Sequence, residues 1–110
     1  MNWLSLARIL IEMFGPWLLK WLDDHLSQAS ATLAKRHGDR IALTSTDAIA
    51  ELFDVAKSQT WPWQIGRRKL LDKCREVAIK NQAKVANAAN GVGSQPYLSL
   101  NEQQELAELV

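Results

Sequence analysis

Asp23-Asp24-His25 is the one place in this 110-residue chain where acid and base stand side by side. General acid–base chemistry needs such a pair within reach of a reacting group. Nothing nearby supplies the rest: there is no glycine-flanked nucleophile, no His-Glu-x-x-His and no phosphate-cradling glycine loop. The triplet sits where the polar side of a helix would place it, so it reads as a solvated turn, and no residue takes a catalytic role. The soft metal ligands are His25, His37 and Cys74, none at ligand-pair spacing, so neither a metal nor a cofactor is expected. A single cysteine rules out an intramolecular disulfide and with it the stapled secreted folds. Cys74 falls in an apolar row, where a thiol behaves as a small hydrophobe.

Binding chemistry has more to work with. Five Trp stand against two Phe and one Tyr, and indole joins a large apolar body to an N–H that seeks a partner. Trp61-Pro62-Trp63 is the most unusual local word, with two readings. Trp61 and Trp63 serve as an aromatic anchor for a partner's pocket or for stacked bases, or they fold back over the core at the entry of a helix. Charge is segregated under a net +1: residues 1–56 hold five basic and seven acidic groups, 57–90 eight and two, 91–110 three Glu alone. Arg67, Arg68, Lys69, Lys73, Lys80 and Lys84 are therefore the candidate phosphate contacts, with internal neutralisation by acidic neighbours as the plainer reading. No base-reading motif accompanies them, so nucleic-acid binding would be sequence-tolerant and strongly salt-dependent.

The elements that position these groups are helical. From Trp3 to Leu22 nearly every residue is apolar, and Ser5, Arg8, Glu12, Pro16 and Lys20 fall three or four apart as one narrow polar stripe. Gly15-Pro16 predicts a kink or break in this helix. Leu26, Ala29 and Leu33 continue a weaker apolar line to a stop at His37-Gly38-Asp39. Ile41-Ala42-Leu43-Thr44 is a short run with extended character, and Ser45-Thr46-Asp47 is a cluster of N-cap residues. Ala48, Ile49, Leu52, Phe53 and Ala56 then mark a helix over 47–57. Leu70, Leu71, Cys74, Val77, Ala78, Val85 and Ala88 share one face of a basic amphipathic helix over 64–89, with Asn81 the polar member of that row. Residues 91–98 read as a linker. Ser99 with Glu102 has capping-box spacing and opens an acidic helix over 99–110.

The expected fold is all-α, a small bundle or extended helical hairpins of about four helices, with the first kinked at Gly15-Pro16. One helical domain occupies 1–90, and 1–36 forms its apolar N-terminal region. That region is either a buried central helix or an interfacial helix with Trp3, Trp17 and Trp21 at headgroup depth. Arg8, Glu12 and Lys20 argue against a transmembrane span. A buried central helix belongs either to the domain itself or to a helix-mediated oligomer; the assembly reading takes Trp3, Leu10, Phe14, Trp17 and Trp21 as contacts to something outside the chain, because so much apolar surface exceeds what a short chain hides. The expected function is a non-enzymatic assembly subunit, such as a component of a larger particle like a virion, with a nucleic-acid-binding accessory subunit as the alternative. Self-association or a protein partner leads, a membrane surface or nucleic acid follows, and no small-molecule substrate is expected. The expected location is cytoplasmic or virion-associated, at most peripheral to a membrane, and not secreted.

Overall fold

An apolar helix needs cover, and α1 (Trp3–Phe14) obtains it from α2 (Pro16–His37), onto which the chain doubles back. The computed structural model describes residues 2–14, 16–38, 46–91 and 98–109, and for 16–20 the backbone alone. Four more helices follow within them: α3 (Thr46–Ser58), α4 (Ile65–Lys80), α5 (Gln82–Ala89) and α6 (Leu100–Ala107). The class is all-α, with six helices rather than about four among the described residues. Gly15, the run 41–44 and positions 92–97 of the expected linker lie outside those residues.

The first additional helix comes from Pro16, which opens α2 at a position where its missing donor costs nothing. The break is a reversal and not a kink. The Trp3 ring lies 6.5 Å from that of His37 at the far end of α2, so the two helices run antiparallel. Trp3, Leu10 and Phe14 are only 3%, 0% and 1% exposed, packed with Leu22, Leu26, Ala29 and Leu33 of α2 in the core. This corrects the expectation that α1 carries surplus apolar surface. One protomer hides it, and the three side chains belong to the core and not to a contact face. Arg8 and Glu12 stay exposed on the polar stripe.

Gly38 closes α2 with a φ of 81°, and its N–H reaches the Ala34 carbonyl at 2.9 Å, the αL ending that glycine accepts without a Cβ clash. His37 Nε2 meets Glu51 at 2.8 Å, and Gln59 donates to Thr32 Oγ1 at 2.7 Å. Together these pairs set α3 antiparallel to α2. Lys57 bonds both oxygens of Asp72 at 2.9 Å, which sets α4 antiparallel to α3. Arg75 Nε lies 3.1 Å from Asp54 Oδ1, a charge contact without a linear hydrogen bond.

The expected helix over 64–89 divides at Asn81 into α4 and α5, the second additional helix. The Asn81 side chain donates to the Val77 carbonyl at 2.9 Å and to Glu102 Oε2 at 2.8 Å. Side-chain bonding to the local backbone competes with helix continuation, and a partner on another element holds the residue there. Glu102 is the N3 residue of α6, whose Ser99 forms the full capping box. A radius of gyration of 13.0 Å matches the roughly 13 Å of a compact chain of this length.

Candidate functional site

The residue before a proline avoids the α region, so Trp61-Pro62 ends any continuation of α3 and forces a corner before α4. The corner is tightly bonded. The Trp61 N–H donates to Gln64 Oε1 at 3.0 Å, and the Gln64 N–H donates to the Trp61 carbonyl at 2.9 Å. The Thr60 hydroxyl donates to the Lys57 carbonyl at 2.6 Å, and the Arg68 guanidinium donates to that carbonyl and to Thr60 Oγ1, both at 3.2 Å. Arg68 thus closes the C-terminal end of α3 and is not a free phosphate ligand.

Trp61 and Trp63 stack on one another, ring centroids 4.9 Å apart and planes 8° from parallel. They are 61% and 71% exposed, and Ile65 beside them is 61% exposed. They do not fold back over the core. A groove of about 480 Å³ adjoins the pair, lined by Asp24, His25 and Gln28 of α2 with Gln59, Trp61, Gln64 and Arg67. His25 is stacked on Trp21 at 4.4 Å, and its Nδ1–H donates to the Trp21 carbonyl at 2.9 Å. Asp23 stays out of this groove and accepts from Ser27 at 3.2 Å. Among the described residues no second acid or nucleophile joins Asp24 and His25 there. Among the described residues no three His, Cys, Asp or Glu side chains gather at a metal-binding distance.

The basic set is only partly available. Lys73 bonds Glu105 of α6 at 3.0 Å and approaches Glu76 at 3.7 Å. Chiefly that hydrogen bond to Glu105, against the opposing pull of desolvation, raises its pKa. Arg67, Lys69, Lys80 and Lys84 are exposed. Part of the segregation seen in sequence is internal pairing, Arg75 with Asp54 of α3 and Lys73 with Glu105 of α6.

Of the five residues expected to contact a partner, Trp3, Leu10 and Phe14 are in the core, Trp21 is half-buried against His25, and the Trp17 side chain lies outside the described residues. Trp61 and Trp63 are brought together at the surface. Sequence reasoning passed over Ile65, although it lies off the Leu70-Leu71-Cys74 row and so had no core position to fill. It also passed over Leu100, 78% exposed, which with Gln103, Gln104 and Ala107 lines a shallow groove of about 350 Å³ on the outer face of α6. The signal was present there too, since 100, 103, 104 and 107 share a helix face opposite to Leu106. Comparison with family models, curated proteins and solved structures finds no match to this chain.

Proposed function

We propose that the chain is a non-enzymatic assembly subunit that associates with protein surfaces, copies of itself among them, through the corner formed by Trp61, Trp63 and Ile65. The observation that carries this reading is the exposure of two stacked indoles and an isoleucine on a hydrogen-bonded corner. Trp is the residue type most enriched among interface hot spots, and a pre-organised corner loses little entropy on binding. The same protomer buries the hydrophobic face of α1 almost completely, so these exposed rings are not a failure to form a core.

Ile65 favours protein over nucleic acid, because an aliphatic side chain gains from an apolar pocket and nothing from base stacking. The indoles also cover one another's inner faces. Arg68 and Lys73 are held within the fold, which weakens the phosphate-binding alternative. No helix among the described residues is long and apolar enough to cross a membrane. A subunit of a larger particle, cytoplasmic or virion-associated and without cofactor or small-molecule substrate, fits this reading.

Sedimentation velocity tests it, run on the full chain from low to high micromolar concentration beside a Trp61→Ser/Trp63→Ser variant. The expected result is a mass that rises with concentration for the wild type and stays monomeric for the variant. A wild type that remains monomeric overturns the reading. If that monomer pellets with anionic vesicles or retards single-stranded DNA, the corner belongs to lipid or nucleic acid instead.

A further inference from the structure

We infer that the surface receiving the tryptophan corner is the outer face of α6 on a second copy, so that copies join head to tail. This rests on the assembly reading above and adds which face is met and with what symmetry. Among the described residues, two of the exposed apolar patches differ in the charge that flanks them. One is Trp61, Trp63 and Ile65, followed by Arg67 and Lys69, both exposed and without an ion pair among the described residues. The other is the shallow groove of Leu100, Gln103, Gln104 and Ala107, on a helix whose charged residues are all acidic.

Charge decides which patch meets which. A two-fold contact of corner on corner would bring Arg67, Arg68 and Lys69 of both copies together, and like charges juxtaposed across an interface repel and disfavour that pairing. Corner on α6 instead brings Arg67 and Lys69 to a helix that carries Glu105 and is capped by Glu108. Lys73 holds Glu105 at 3.0 Å, yet the Glu105 side chain remains 56% exposed, and Glu108 is exposed. An open groove accepts a flat indole more readily than a closed helix face does.

Two different patches make a heterologous contact, which leaves one patch free at each end of every oligomer. Growth therefore continues as a row or closes as a ring. Added salt weakens it, because the flanking charges are solvent-exposed.

Complementation in the full-length chain tests this, with Trp63→Glu spoiling the corner and Leu100→Glu spoiling the groove. Both sites are exposed, and an unchanged circular dichroism spectrum confirms folding of each variant. Each alone is expected to be monomeric, its association weakened about thirtyfold or more, as loss of an interface anchor predicts. Mixed together they should form a one-to-one dimer that does not grow, since the intact groove of one meets the intact corner of the other. Loss of assembly with Trp63→Glu but not with Leu100→Glu overturns the α6 assignment while leaving the assembly reading in place. Monomers only in the mixture, with both singles monomeric, point to a two-fold contact using both patches and also overturn the head-to-tail order. Assembly that persists with Trp63→Glu, or a wild type that never associates, overturns both.

Discussion

Cys74 and Trp3 show what burial does to single groups. Desolvation raises the Cys74 thiol to about 12, so in the folded chain it is protonated and inert. We expect no alkylation of the native protein at pH 8 and full alkylation in denaturant, measured by mass spectrometry; rapid native labelling would contradict the burial. The sign of the pH effect follows. A thiol ionises near pH 8.5 when unfolded, so its contribution to stability is complete below about 8.5 and is lost as pH rises towards 12. The Trp3 indole N–H is buried with no acceptor among the described residues. An orphaned buried donor costs roughly 1–3 kcal/mol, so Trp3→Phe should be within about 1 kcal/mol of wild type, while Trp3→Ala loses about 3–5. Urea titrations of the two variants separate these outcomes, and a Trp3→Phe loss well above its expected value would show that the N–H carries no penalty.

At the scale of elements, the Glu102 carboxylate ties α6 to the break between α4 and α5, beside the Lys73–Glu105 pair and the buried Leu106. Burial pushes the Glu102 pKa up, but hydrogen bonds from Asn81 and from the Ser99 N–H and hydroxyl, with the charge of Lys80, hold it below the ordinary value overall. A depressed carboxylate stabilises above its unfolded pKa, near 4.3, and that stabilisation disappears as pH falls through the lower folded value. Hydrogen exchange of α6 should accelerate relative to the core below about pH 4.3. Glu102→Gln should make α6 protection less dependent on pH in that range. No change in that dependence would mean the carboxylate is not what fastens α6. The Asn81 break and the Ser99 box are the two ends of this one connection. From sequence they were visible separately, as a polar residue in an apolar row and as a capping spacing, but Asn81 and Glu102 stand 21 positions apart in the chain. Only the fold pairs them.

For the whole molecule, α1 is the central cover of the bundle, its Leu6, Leu10 and Phe14 in one cluster with Ile49, Phe53 and Val85. Phe14→Ala should cost about 3–5 kcal/mol, and a chain lacking residues 2–14 should lose its cooperative unfolding transition by circular dichroism. A truncated chain that still unfolds cooperatively would mean that α2 to α6 hold a sufficient core of their own.

The all-α class, the end of α2 at Gly38, the α3 span and the cap of α6 were legible in the sequence because each depends on periodicity or on residues a few positions apart. The oily face of α1 was legible as a face, but not what covers it. Whether an apolar surface meets its own chain or another is settled by where distant helices pack, and no local pattern carries that. The same limit left Trp61 and Trp63 undecided between core and surface. Stereochemistry next to Pro62 requires a corner, while the packing of α2 and α4 around it decides that the indoles stand in solvent.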